Sequence, residues 1–173
     1  MRVRVFSSPE TGPHQTGDRP LLTNLSHRKG SYHPLPIGQT LAVGTTGIQV
    51  VSLKPPVAQF QIHNQVWLFL GDLNPSEQSR LVTAGSLLAG ENGESPLRVL
   101  WWSGEQLAPY LVEALQPSVA IASSDAIDPQ TERLLRQRNT QIYAIGREGA
   151  IQWNSRDGFR STLDPRENEN LFL

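Results

Sequence analysis

The chain of 173 residues contains no cysteine. This excludes disulfide frameworks, thiolate zinc sites and cysteine nucleophiles, and it leaves the redox compartment open. The sequence also has no apolar run that approaches the roughly 20 residues needed to span a bilayer. Its start, Met1 to Phe6, is too short and too charged for a signal peptide. We therefore expect a soluble polypeptide without a transmembrane segment.

Excess charge and clustered histidine are missing as well. Fifteen basic residues balance sixteen acidic ones, so no overall field attracts nucleic acid, and polyanion binding would require a local patch. The histidines occur singly, without the i, i+2 or i, i+4 spacing that brings two imidazoles to one ion; they are His14, His27, His33 and His63. No glycine-rich dinucleotide fingerprint, P-loop or serine-hydrolase elbow is present, so the sequence does not support those activities.

What is present is a change of pattern along the chain. Residues 1–38 hold many prolines and glycines and few apolar residues, which predicts an irregular arm after a short first strand from Arg2 to Phe6. Residues 39–163 carry regular strand and helix patterns and predict a single domain with its own core. Residues 164–173 predict a polar tail.

Within the domain, the apolar pattern predicts two kinds of architecture in succession. Before Asp72 it predicts an antiparallel meander with a tight turn at Asn64-Gln65 and strands at 39–43, 48–53, 58–63 and 66–70. After Asp72 it predicts helices at about 75–88, 105–115 and 129–138, strands at 97–102, 119–123 and 141–145, and a closing hairpin at 150–153 and 159–163. Helices between strands indicate parallel crossovers that cover one sheet face.

The apolar run from Val66 to Leu70 ends abruptly in Gly71 and Asp72. Many metal-dependent hydrolases place one ligand beside a cleft in this way, with a carboxylate at the carboxyl end of a buried strand. Asp72 is therefore a candidate metal ligand. Alternatively, the Asp72 carboxylate caps the next helix or accepts hydrogen bonds from loop amides. For the helix cap, Asn74 is the better candidate.

The order of these motifs resembles the second half of the metallo-β-lactamase-like domain at the C-terminus of ComEC-type competence proteins, which are membrane channels for DNA uptake. The resemblance covers about Gln39 to Leu163 and rests on 70–72, 117–123 and 147–151. In that family the corresponding strand ends Leu-Leu-Thr-Gly-Asp and its Asp binds metal, a position matched by Asp72. The resemblance implies an α/β fold with a mixed β-sheet and helices on the outer face, half of an αββα sandwich.

Two later ligand motifs of that family are altered here. The His-His-Gly-Ser turn is replaced by Trp101-Trp102-Ser103-Gly104, and indole nitrogen, which is a donor only, cannot bind zinc. The Gly-His-Pro motif corresponds to residues 127–129. Asp128 is thus a second candidate ligand, although it is better placed to cap the helix begun by Pro129. The family's first half, with its His-x-His-x-Asp-His cluster, has no counterpart.

Since catalytic zinc generally needs about three protein ligands, the resemblance implies a noncatalytic or vestigial domain associated with a competence-type DNA-uptake channel at the bacterial inner membrane. We expect no cofactor unless a partner supplies ligands for zinc or another divalent metal. Two alternatives remain: a metal-dependent nuclease or hydrolase completed by such a partner, and a noncatalytic single-stranded DNA-binding or scaffold module. The corresponding partners are single-stranded DNA, a channel protein or missing half-domain, and a second copy.

Five residues are candidates for nucleic-acid contact. Trp101 and Trp102 alternate on a strand, so at least one is expected in the core, and an exposed indole would stack on a base only beside a basic groove. Arg98 is the basic residue nearest to them in sequence. Arg28 and Lys29 belong to a basic and aromatic cluster in the arm, for which a solvated loop is the alternative interpretation.

Overall fold

The computed structural model describes residues 5–9, 31–53, 55–83 and 97–163, with side chains described from residue 35 onward. The strands are β1 Val5–Pro9, β2 Ser31–Leu35, β3 Thr40–Val43, β4 Thr46–Leu53, β5 Pro56–Ile62, β6 Gln65–Gly71, β7 Leu97–Trp102, β8 Val119–Ala122, β9 Gln141–Ala144, β10 Ile151–Asn154 and β11 Gly158–Ser161. The helices are α1 Pro75–Thr83, α2 Pro109–Leu115, α3 Pro129–Gln137 and the short α4 Ile145–Glu148.

Seven strands form one mixed sheet in the spatial order β3-β4-β5-β6-β7-β8-β9. Strands β3 to β6 pair antiparallel, and β6 to β9 pair parallel. Both the predicted meander and the predicted alternation of strands and helices are therefore confirmed. The predicted fold class, an α/β fold with a mixed sheet and helices on its outer face, is confirmed as well. A separate hairpin is formed by β10 and β11, and β1 pairs parallel with β2.

All three longer helices pack on the same sheet face because the strand order is strictly sequential. Each parallel crossover leads to the next strand in the same direction, and right-handed crossovers then place every connecting helix on one side. Beneath the helices the sheet presents three small residues, which allow close packing; they are Ala120, Ala122 and Ala144. The larger residues of this core include Leu68, Leu70, Leu81, Leu100, Trp102, Leu111, Val112, Leu115 and Leu135.

Local capping sets the start of α1. Asn74 Oδ1 accepts hydrogen bonds from the backbone amides of Ser76 and Glu77, at 3.0 and 3.1 Å. In return, the Glu77 carboxylate accepts one from the Asn74 amide at 2.9 Å. This reciprocal pair is a capping box, which satisfies amides that have no partner within the helix. The prediction that Asn74 caps this helix is confirmed.

Helix α3 begins as the sequence predicts, whereas α2 does not. Asp128 is the N-cap of α3, and its carboxylate accepts a hydrogen bond from the Thr131 amide at 2.8 Å. Helix α2 starts at Pro109 instead of Glu105. The reason is tertiary, because the amides of Leu107 and Ala108 donate to the side chains of Thr131 and Gln78 and hold this segment out of the helix.

Other local predictions differ from the structure by small shifts. The turn between β5 and β6 is at His63 and Asn64, one residue earlier than predicted, because His63 takes the left-handed conformation with φ 53°. The first strand is Val5–Pro9, and β2 lies in the arm predicted to be irregular. Each of these strands contains a proline. Both strands of a two-stranded ribbon are edge strands, where proline is tolerated. Helix α4 was not predicted.

Among the described residues, the β10–β11 hairpin covers one part of the second face of the sheet. Trp153 and Phe159 of the hairpin pack against Trp67, with ring centroids 6.2 and 5.3 Å apart. Tyr143 Oη donates to the Phe159 carbonyl at 3.0 Å. Farther along this face, Phe60, Phe69 and Trp101 are half-buried. In the described part of the chain, the sheet thus has helices on one face and a partly covered second face, as expected of half an αββα sandwich.

In the part of the chain that the structure describes, no helix is long and apolar enough to cross a membrane.

Candidate binding cleft

A cleft of about 530 Å³ opens at the carboxyl ends of β6, β7 and β8. This end of an open α/β sheet is where ligands commonly bind, and the volume is within the range of small-molecule sites. Strands β4 and β5 and the loops around them complete its walls. The apolar part of the lining includes Val50, Leu53, Pro56, Ala58, Phe69 and Trp101, and the polar part consists of Ser52, Asp72, Ser103 and Ser123.

The chain turn at Gly71 positions Asp72 at the rim of the cleft. Gly71 has φ 60°, and a Cβ atom at this position would lie 3.2 Å from the Pro56 carbonyl oxygen. Glycine adopts this left-handed conformation without steric cost. Asp72 is exposed, and because Asn74 supplies the helix cap, its carboxylate is not used by α1. The sequence prediction that a carboxylate stands beside a cleft at this strand end agrees with its position.

Trp101 forms the aromatic wall of the cleft. Its ring stacks on Phe69 with centroids 5.2 Å apart and an interplanar angle of 26°. Phe69 in turn meets Phe60 edge to face at 5.1 Å. The indole Nε1 of Trp101 donates to Ser123 Oγ at 2.6 Å. These contacts fix the indole in one orientation, so that the wall is preorganised.

Trp102 and Arg98 have structural roles that conflict with their candidacy for nucleic-acid contact. Trp102 is 2% exposed in the helix-covered core, and its Nε1 donates to the Glu105 carbonyl at 3.1 Å. It therefore offers no ring face to a base, which corrects that interpretation and confirms that one of the two indoles is core. The Arg98 guanidinium donates to the Leu115 carbonyl at 2.9 Å, where it satisfies the C-terminal end of α2.

Arg98 also lies near the start of β7, whereas Trp101 lies near its end. Because side chains alternate along a strand, the two point to opposite faces of the sheet, and Arg98 does not line the cleft beside Trp101. Arg28 and Lys29, the remaining candidates, lie outside the described residues. Base stacking on Trp101 stays a prediction.

The described side chains at this edge do not fit a zinc site. Zinc in proteins is held by imidazole, thiolate and carboxylate ligands, whereas the side chains that accompany Asp72 are hydroxyls and an indole. Among the described residues, no group of three or more His, Cys, Asp or Glu is placed to hold a metal. His63 lies at the opposite end of β6, about 20 Å away along the strand. Asp128 is engaged as a helix cap. A metal-binding role for Asp72 or Asp128 stays a prediction.

The contribution of Phe69 and Ser123 to the cleft was not predicted from the sequence. The alternation of side chains in β6 places Trp67 and Phe69 on one face, and this signal was available in the sequence. The Ser123 contact was not, because it depends on the register that pairs Trp102 with Ala122. The alternation of side chains along a strand shows which sheet face a residue lies on. The pairing register between strands determines which residues are in contact.

No protein-family model and no curated protein matches the chain. A solved structure of a mutant of the β-hydroxylase CmlA is similar to it, with a TM-score of 0.41 and 11% sequence identity. The match covers 71% of this chain and 34% of that chain, so this chain spans about a third of that protein's length. A likeness of this degree supports no inference about activity or ligand. The resemblance to competence proteins is therefore carried by sequence motifs alone.

Proposed function

We propose that the chain is a noncatalytic metallo-β-lactamase-like half-domain that serves as one layer of a two-layer assembly. A separate polypeptide supplies the complementary sheet, which packs on the second face. The observation that carries this proposal is the one-sided placement of α1, α2 and α3. Among the described residues, the cover on the second face is the short β10–β11 hairpin.

The second face has the composition of a buried layer. Its side chains are aligned by the strand register, which places Leu41 opposite Ile48 and Ile48 opposite Phe60. Val43 on the edge strand belongs to the same face and is 56% exposed. Burial of apolar area contributes about 25 cal/mol per Å², so a second sheet on this face would be favoured. A partner that presents a β-layer with an apolar face fits this surface.

The setting of a competence-type DNA-uptake channel is supported by the sequence resemblance from Gln39 to Leu163. In that family the first half of the domain carries the histidine cluster, so the complementary layer is proposed to be such a half-domain. A neighbouring reading frame that encodes membrane helices and this cluster would support the setting.

Zinc analysis tests the noncatalytic part of the proposal. The purified chain is equilibrated with a small excess of zinc, free metal is removed, and bound zinc is measured by mass spectrometry. We expect well under one zinc per chain, an Asp72→Ala variant with the same content, and no hydrolysis of a phosphodiester or of single-stranded DNA. Stoichiometric zinc with phosphodiesterase activity that Asp72→Ala abolishes would overturn the proposal in favour of a metal-dependent hydrolase.

A further inference from the structure

We infer that the cleft binds a small organic cation, an ammonium group carried by an aromatic or branched apolar body. This goes beyond the proposed function, because it concerns the cleft of the isolated chain and needs no second layer. Three features support it: the acceptors at the strand ends, the charge of the rim and the aromatic wall.

The acceptors stand at the ends of three neighbouring strands. Asp72 follows β6, Ser103 follows β7 and Ser123 follows β8, and all three side chains line the cleft. The register pairs Gly71 with Trp102 and Trp102 with Ala122, so each acceptor comes one residue after a paired position. Neighbouring strands lie about 4.8 Å apart. An ammonium group has three N–H donors and no acceptor, and it is matched by a carboxylate beside two hydroxyls.

Among the described residues, the charge of the rim favours a cation. Asp72 is the sole charged side chain among the described residues that line the cleft. The nearby N-terminus of α1 would favour an anion, but its amides at Ser76 and Glu77 are already bound by Asn74 Oδ1. Glu77 adds a further negative charge in the first turn. Because the walls are apolar, the carboxylate attracts a cation more strongly there than on an open surface.

The aromatic wall supplies the apolar contact. Trp101 is held by Phe69 on its ring face and by Ser123 at its nitrogen, so it loses little freedom when a ligand packs on it. A cation within about 6 Å of an indole ring is attracted by the ring quadrupole. The same wall accepts an aromatic or branched aliphatic group from a ligand.

Calorimetric titration of the full chain with three probes of similar shape tests the inference. The probes are 2-phenylethylammonium, 2-phenylethanol and 3-phenylpropanoate. We expect the ammonium to bind about tenfold more tightly than the alcohol, and the carboxylate to bind most weakly. Added salt should weaken the binding of the ammonium but not of the alcohol. Equal affinities for the three probes, or no ammonium binding at about 10 mM, would overturn the inference.

Matched variants assign the binding to the cleft. Asp72→Asn keeps the shape of the exposed side chain and should abolish the preference for the ammonium over the alcohol. Trp101→Leu should weaken both probes. Glu113→Gln removes a carboxylate from the exposed surface of α2, and it should leave all affinities unchanged. A preference that survives Asp72→Asn would contradict the inference. This measurement does not depend on zinc content. The inference about the cleft and the proposed function can therefore fail independently of each other.

Discussion

At the scale of single residues, Gln78 shows how a polar side chain can organise a fold. It is 1% exposed and lies in α1. Its Nε2 donates to the carbonyls of Leu73 and Gln106 at 2.9 and 3.0 Å, and its Oε1 accepts from the Ala108 amide at 2.7 Å. Three backbone groups of two loops thus depend on one amide. These loops precede α1 and α2, so Gln78 fixes the relative position of both helix starts.

Replacement of Gln78 by methionine should therefore be costly. The substitution keeps the length and volume of the side chain but removes the partner of two buried backbone groups, at Leu73 and Ala108, and of the part-buried Gln106 carbonyl. Since each such group costs about 1–3 kcal/mol, we expect Gln78→Met to lower the free energy of unfolding by about 3 kcal/mol, measured by urea denaturation. Gln137→Met, at an exposed site near the end of α3, should change it by less than about 0.5 kcal/mol. Equal effects of the two variants would contradict this role.

At the scale of elements, the start of α3 depends on the geometry of its cap more than on charge. Asp128→Ala removes the acceptor for the Thr131 amide and should cost about 1 kcal/mol of stability. Asp128→Asn retains an acceptor and should stay within about 0.5 kcal/mol of the parent chain. Thermal and urea denaturation of both variants measure the difference. If the two variants lose the same stability, the cap geometry is not the source of the effect.

The sequence predicted helix and strand boundaries correctly where adjacent residues determine them. Pro75 and Pro129 each follow a side chain that caps the helix, so both starts were predictable from adjacent residues. The start of α2 was not, because the amide of Ala108 is bound by a side chain 30 residues earlier. Similarly, the carboxylate at the end of β6 was predictable from one strand. The cleft around Asp72 was not, because its walls come from strands brought together by the sheet register.

At the scale of the whole molecule, the sequential strand order has a consequence for association. It places the long helices on one face and leaves apolar side chains of the other face accessible, among them Val43 at 56% exposure. The net charge of −1 gives little repulsion between copies. Monomeric proteins rarely expose large contiguous apolar patches, and such patches commonly mark interaction sites. Without the proposed partner layer, the chain should bury the β3 to β5 part of this face, around Val43 and away from Trp101, against a second copy.

Sedimentation velocity over a range of concentrations measures this self-association. We expect a reversible dimer that Val43→Glu weakens by at least about tenfold, since burial of one unpaired carboxylate in an apolar contact costs more than about 1.4 kcal/mol. The matched control is Ser79→Glu at an exposed site of α1, which adds the same charge on the helix-covered side. This variant should dimerise like the parent chain. A parent chain that stays monomeric at every concentration, or a dimer that both variants weaken equally, would show that the second face is not the contact.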